Sequence, residues 1–148
     1  MVMAVRQFEK LFRESASLDI DKNDIKRLEE FVNKRLHSLL VRGVANARAN
    51  GRDVIQPQDL PITRGLQEQL HAFRKLDEEL DLSSILEQLS QLPPLELAYG
   101  EEVERLLPQL TGGITVAVAH CLKTLQPKLK NPSSSDWEQA EQIFDILL

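Results

Sequence analysis

Apolar residues in this chain recur at intervals of three and four over most of its length, which predicts helices joined by short loops. Val5, Phe8, Leu11 and Phe12 give a short first helix that closes before Leu18. Asp19-Ile20-Asp21-Lys22-Asn23 reads as a loop whose aspartates can cap the next helix. From about Asp24 to Asn50 the stripe Ile25, Leu28, Val32, Leu36, Leu39, Leu40, Val44 and Ala47 predicts a helix about 40 Å long. Phe31, Val41 and Ala45 lie beside that stripe and widen the apolar face, so this helix needs partners on more than one side. Leu66, Leu70, Phe73, Leu76 and Leu80 mark a third helix, starting near Leu60 or after Pro61 and ending at Glu78 to Asp81.

The rest of the chain repeats this short, long, short order. Ser83 and Ser84 cap a helix carrying Ile85, Leu86, Leu89 and Leu92, and Pro93-Pro94 makes a loop. A second long stripe opens near Glu101 and runs through Val103, Leu106, Leu107, Leu110, Ile114, Ala117, Cys121, Leu122 and Leu125. Pro108 and the Gly112-Gly113 pair fall inside it and predict a kink or a break. Asn131 to Asp136 supply a loop and cap, and Trp137, Ala140, Ile143, Phe144 and Leu147 form the last helix. Strand signals are confined to a few loop residues, so the fold class is all-α.

The sharpest motif is Gly51-Arg52-Asp53-Val54-Ile55-Gln56-Pro57-Gln58-Asp59-Leu60. Gly51 can take the left-handed conformation that closes a helix, and Pro57 cannot continue one that ended upstream. Asp59 stands where a carboxylate can meet free backbone N–H groups. This stretch resembles the second loop of the histone fold. The whole chain resembles bacterial histone-fold pseudodimers related to archaeal histones, in which two tandem histone folds form an intramolecular pseudodimer. The resemblance implies a first unit over residues 1–81 and a second over 82–148, together one compact domain. It also implies that Val54-Ile55 pair as a short strand, that Asp59 opens the third helix, and that Arg52 pairs with Asp59. Removing Arg52 should then cost roughly 1 to 3 kcal/mol if the pair is buried and hydrogen-bonded. A lone histone fold exposes apolar surface that a partner must cover, and two units in one chain would cover each other.

Composition narrows the function. Hydrophobic residues make up 42% and charged residues 28% of 148 positions, which is ordinary for a folded globular protein. No apolar run is long enough for a membrane span and the first residues do not form a signal peptide, so a cytoplasmic protein is expected. The single cysteine, Cys121, precludes an internal disulfide and reads as a packed thiol. His37, His71 and His120 lack a second His or Cys at i+4, so no metal is expected. The acidic runs Glu29-Glu30, Asp77-Glu78-Glu79 and Glu101-Glu102 read as solvated helix faces or ends. No phosphate loop, nucleophile elbow or catalytic triad is present, and the expectation is a protein with no catalytic residues, cofactor or small-molecule substrate.

Histones contact phosphates through loops and first helices with little base readout. The resemblance therefore offers Lys10, Arg13 and Arg52 as nucleic-acid contacts, with Lys22 beside them. Three features oppose it. Asp53 and Val54 follow Arg52 where archaeal histones carry lysine and threonine, and Lys130 to Asp136 lacks the arginine–aspartate pair. The chain carries 18 basic against 23 acidic residues, for a net charge of −5. Lys26, Arg27, Lys34, Arg35, Arg42 and Arg48 give the long helix a basic face, which local pairing with Glu29, Glu30 and similar neighbours would neutralise. Two functions stay open: a structural protein that binds double-stranded DNA weakly, and an interaction scaffold that binds another protein or itself without nucleic acid. Phosphate binding requires Lys10, Arg13 and Arg52 to converge on one surface, whereas a protein interface requires a contiguous apolar patch.

Overall fold

The computed structural model describes residues 2–82 and 95–147. The helix expected at Ser83 to Leu92 and the Pro93-Pro94 loop lie outside them. Helix α1 covers Val2–Ala16 and α2 Lys22–Ala49; α3 covers Arg64–Leu80, α4 Glu101–Leu125 and α5 Ser134–Leu147. Among the described residues two short strands, β1 (Val54–Ile55) and β2 (Ala98–Tyr99), accompany these helices.

Local chemistry fixes the helix ends. Ser17, at φ 53°, closes α1, and the Leu18 N–H returns to the Phe12 carbonyl at 3.2 Å. Asp21 caps α2: its carboxylate accepts from the Asp24 N–H at 2.9 Å while Asp24 accepts from the Asp21 N–H at 3.0 Å. The helix accordingly starts two residues before the expected Asp24. At its far end Gly51 takes φ 71°, and the Arg52 N–H bonds to Ala47 at 2.9 Å.

Asp59 does not open the third α-helix. It ends a short 3-10 turn, Pro57–Asp59, and its carboxylate accepts from the Gln56 N–H at 2.8 Å. Pro61 prevents continuation, and Thr63 caps α3 instead, its hydroxyl accepting from Leu66 at 3.2 Å.

Helix α4 runs unbroken through Pro108, Gly112 and Gly113, where the sequence predicts a kink or a break. Its middle is buried on nearly every side, from Leu107 and Leu110 through Ile114 to Val118 and Ala119. The glycines serve packing: a Cβ on Gly112 would collide with the Phe73 ring, and one on Gly113 would come within 2.8 Å of the Leu70 side chain. Helix α3 thus lies against the bare backbone of α4, in the most extensive helix contact among the described residues. The buried Thr111 and Thr115 hydroxyls donate to the carbonyls one turn back, at 3.0 and 2.7 Å.

The helices cross between the two ends of the sequence. Helix α3 packs on α4, while α5 packs on α2 through Phe31 against Phe144, at a centroid distance of 5.0 Å, and a 2.9 Å bond from Trp137 Nε1 to Asp24. Loops pair at both ends of α2. Beyond its C-terminus β1 pairs in parallel with β2, Val54 opposite Ala98 and Ile55 opposite Tyr99. Before its N-terminus the Asp19 N–H bonds to the Lys130 carbonyl at 2.7 Å.

The Asp145 carboxylate bonds to Arg35, which holds it below the ordinary carboxylate value of 3.8, against a smaller opposing effect of burial. Its stabilising effect is therefore complete above that value and disappears as pH falls through the lowered one. Asp145→Asn should reduce the melting temperature at pH 7, and the gap to the parent should close as pH falls below the ordinary carboxylate value of 3.8. A gap independent of pH would mean that the ion pair contributes nothing.

Candidate nucleic-acid interface

The four basic residues expected to meet phosphate do not converge. Lys10 and Arg13 lie exposed on α1, and Arg13 reaches Asp19 at 3.6 Å, beside the loop that leads into Lys22. Arg52 follows the other end of α2, so the 28-residue helix separates it from Lys22 by about 40 Å. Its guanidinium hydrogen-bonds to Asp59, whose side chain is almost wholly buried. Asn46 Nδ2 donates to the Asp59 carbonyl at 2.7 Å, so the loop is tied to α2 at several points.

The two loop pairs differ in charge. Lys22 enters the first from the α2 N-terminus, and Lys128 and Lys130 enter it from the loop after α4. Lys123 Nζ also points there, donating to the Leu129 carbonyl at 2.7 Å. Residues 123–135 contain three lysines and no carboxylate. Gln126, Lys128, Lys130 and Asn131 line an open recess of about 650 Å³. Asp19, Asp21 and the half-buried Asp24 temper this basic end. Burial is the largest influence on Asp24 and raises its carboxyl above the ordinary value.

The second loop pair is acidic. Asp53 is exposed beside Arg52, and exposed Glu96, Glu101, Glu102 and Glu104 surround β2 and the start of α4. Its arginines are engaged: Arg48 with Glu96 at 2.6 Å, Arg52 with Asp59, and Arg105 with Glu101 at 3.6 Å.

The local buried carboxylate recurs at both ends. Asp136 Oδ2 accepts from the Ser133 N–H at 2.8 Å, as Asp59 accepts from Gln56, and Asp136 Oδ1 accepts from Gln126 Nε2 at 2.7 Å. A neutral amide thus stands where Arg52 stands in the other loop. The sequence has no arginine there, and the substitute lies ten residues upstream of the aspartate rather than seven, which hides the correspondence from motif reading.

Two members of the basic face of α2, Arg27 and Arg35, are neutralised from a distance rather than by Glu29 and Glu30 of the same helix. Arg27 meets Glu141 at 3.4 Å and Glu138 at 3.8 Å, and the buried Arg35 meets Asp145, all from α5. Among the described residues no group of three or more His, Cys, Asp or Glu side chains is placed to hold a metal ion. His120 joins helices, its Nδ1 2.7 Å from Gln69 Oε1 and its Nε2 3.2 Å from the Ser15 carbonyl oxygen. Burial raises the Cys121 thiol above its ordinary value, which suits a packing role. No described helix is long and apolar enough to cross a membrane.

The chain is similar over nearly its whole length to proteins of Thermus thermophilus and Aquifex aeolicus. A crystal structure of a Thermus thermophilus protein is 49% identical, covers both chains completely and superposes with a TM-score of 0.88. A crystal structure of an Aquifex aeolicus protein is 27% identical, covering 98% of this chain and 95% of its own, with a TM-score of 0.85. An uncharacterized protein of Aquifex aeolicus (strain VF5) is 30% identical over 141 residues, spanning 93% of this chain and 82% of the relative. The family model for a domain of unknown function, DUF1931, matches residues 8–145, and the chain belongs to that family.

Proposed function

We propose that this protein is a tandem histone-fold pseudodimer, with units over residues 1–81 and 82–148, that acts without catalysis as a structural protein and binds the phosphate backbone of duplex DNA weakly through one end. Support for the pseudodimer comes from the approximate duplication of its parts. The loop after each long helix pairs with a loop from the other part of the chain, as Asp19 with Lys130 and β1 with β2. Each carries a buried aspartate, Asp59 or Asp136, closing its own turn. Each last helix packs on the other unit's long helix.

The observation that supports the binding reading best is the Asp19–Lys130 loop pair, which joins the loop leading into Lys22 to the loop carrying Lys128 and Lys130, with Arg13 paired to Asp19. Exposed loop lysines contact phosphates without reading bases. The opposite end repels them, so the molecule abuts a duplex and does not wrap it. Lys128 and Lys130 replace Arg52 as candidate contacts.

Fluorescence anisotropy of a short duplex, titrated between about 20 and 200 mM salt, tests this. Affinity should fall log-linearly with salt, with a slope for about two to four phosphates, and Lys128→Glu with Lys130→Glu should abolish binding while Arg52→Lys leaves it intact. No binding at the lowest salt would refute the DNA reading and favour the scaffold, to which the exposed Val41, Ile146 and Leu147 lend apolar surface.

A further inference from the structure

The second half of α2 carries a face that the other described residues leave open. Phe31, which widens the apolar stripe, is buried against α5, but Val41 is 49% exposed and Ala45 is exposed beside it. Two adjoining recesses run along this face, about 710 Å³ between α2 and Pro61 and about 360 Å³ between α2 and Leu95, sharing His37, Val41 and Ala45. Leu39 and Val44 form a buried apolar floor. From Arg35 to Arg48 the groove is about 20 Å long, which matches three to four turns of helix.

Its polar chemistry is one-sided. Arg35, Arg42 and Arg48 line it together with His37, and the carboxylate among the described lining residues is Glu96, held by Arg48. Arg35 is only 5% exposed; one terminal nitrogen meets Asp145, but Nε has no hydrogen-bond partner among the described residues. His37 Nδ1, in the same recess, also lacks one. The unpaired Arg35 Nε–H and the unpaired His37 nitrogen beside an apolar trough favour a ligand that brings carboxylates and hydrophobic side chains together.

We infer that this groove docks an acidic amphipathic helix of a partner protein. Leucine-type side chains fill the trough over Val41 and Ala45, and glutamates on the flank meet Arg42 and, after a rotamer shift, the Arg35–His37 corner. A second copy docked face to face would oppose Arg42 and Arg48 to themselves. The acidic stretches on α3 and α4 already turn their apolar sides, Phe73 and Leu107 among them, into their own core.

The probe is a fluorescein-labelled synthetic helix of about 18 residues with leucines at i, i+3, i+4 and i+7 and glutamates beside them, compared with the same peptide carrying lysines. The glutamate peptide should bind about tenfold or more tightly than the lysine peptide and shift backbone amide resonances of residues 35–48. Arg42→Glu and Ala45→Glu, both at exposed positions, should each weaken it about fivefold or more with the circular dichroism spectrum unchanged. Lys128→Glu with Lys130→Glu should leave it unaffected, which separates this groove from the DNA end. Equal affinity for both peptides, shifts elsewhere, or indifference to Arg42→Glu would overturn the inference. So would displacement of the peptide by duplex DNA, or a concentration-dependent dimer that Ala45→Glu dissolves.

Discussion

Gly112→Ala is expected to destabilise the protein by about 2 kcal/mol, although alanine is the better helix former. At an exposed helical position the exchange would stabilise by about 1 kcal/mol, so the sign of the change is diagnostic. Here the new methyl group meets the Phe73 ring, which is wholly buried on α3. The clash moves α3 off α4, and overpacking of this kind costs about 3 kcal/mol. The melting temperature should drop by about 5 °C for a chain of this size. Phe73→Leu alone also destabilises, by opening a cavity, but in the Gly112→Ala background it should recover part of the loss. An unchanged or raised melting temperature for Gly112→Ala would mean that α3 and α4 do not approach this closely.

Arg52→Ala should cost about 3 kcal/mol, while Gln126→Ala should cost only about 1 kcal/mol, although both side chains bond to a buried aspartate. Without Arg52 the Asp59 carboxylate, 1% exposed at its side chain, retains a single N–H donor and no opposing charge. Asp136 without Gln126 still accepts two bonds from Ser133, at 2.8 and 3.0 Å. Arg52 is itself about a third exposed, and solvent screening keeps its loss below the largest values known for buried pairs. Urea denaturation of both variants decides the matter. Equal losses would mean that the charge of Arg52 adds nothing to its hydrogen bond.

Much of the fold is legible in the sequence where local chemistry decides it. Asp21 and Gly51 bound α2 because capping and left-handed backbone are local effects, whereas the Val54-Ile55 strand is implied only by the resemblance of its loop to a known one. Gly112 and Gly113 mislead for the opposite reason. Their effect depends on Phe73 and Leu70, some forty residues upstream, and no local propensity encodes that approach. The candidate site divides in the same way. Lys128 and Lys130 are visible as lysines in a stretch without carboxylates, yet the loop motif draws attention to Arg52, which faces inward to Asp59. The neutralisation of Arg27 and Arg35 by α5 is invisible in the sequence because the partners lie more than a hundred residues apart. The open face of α2 follows from the same separation: periodicity marks Val41 and Ala45 as apolar but not which of them a distant helix covers.

The exchange of helices across the molecule has a consequence for synthesis. Phe31 and the rest of the α2 face beneath α5 stay bare until a helix beginning at Ser134 has been made, 85 residues after α2 ends at Ala49. At ordinary elongation rates that interval is on the order of ten seconds, far longer than hydrophobic collapse. A nascent chain therefore exposes its longest sticky helix during most of its own translation, and ribosome-bound fragments ending before Ser134 are natural clients for chaperones.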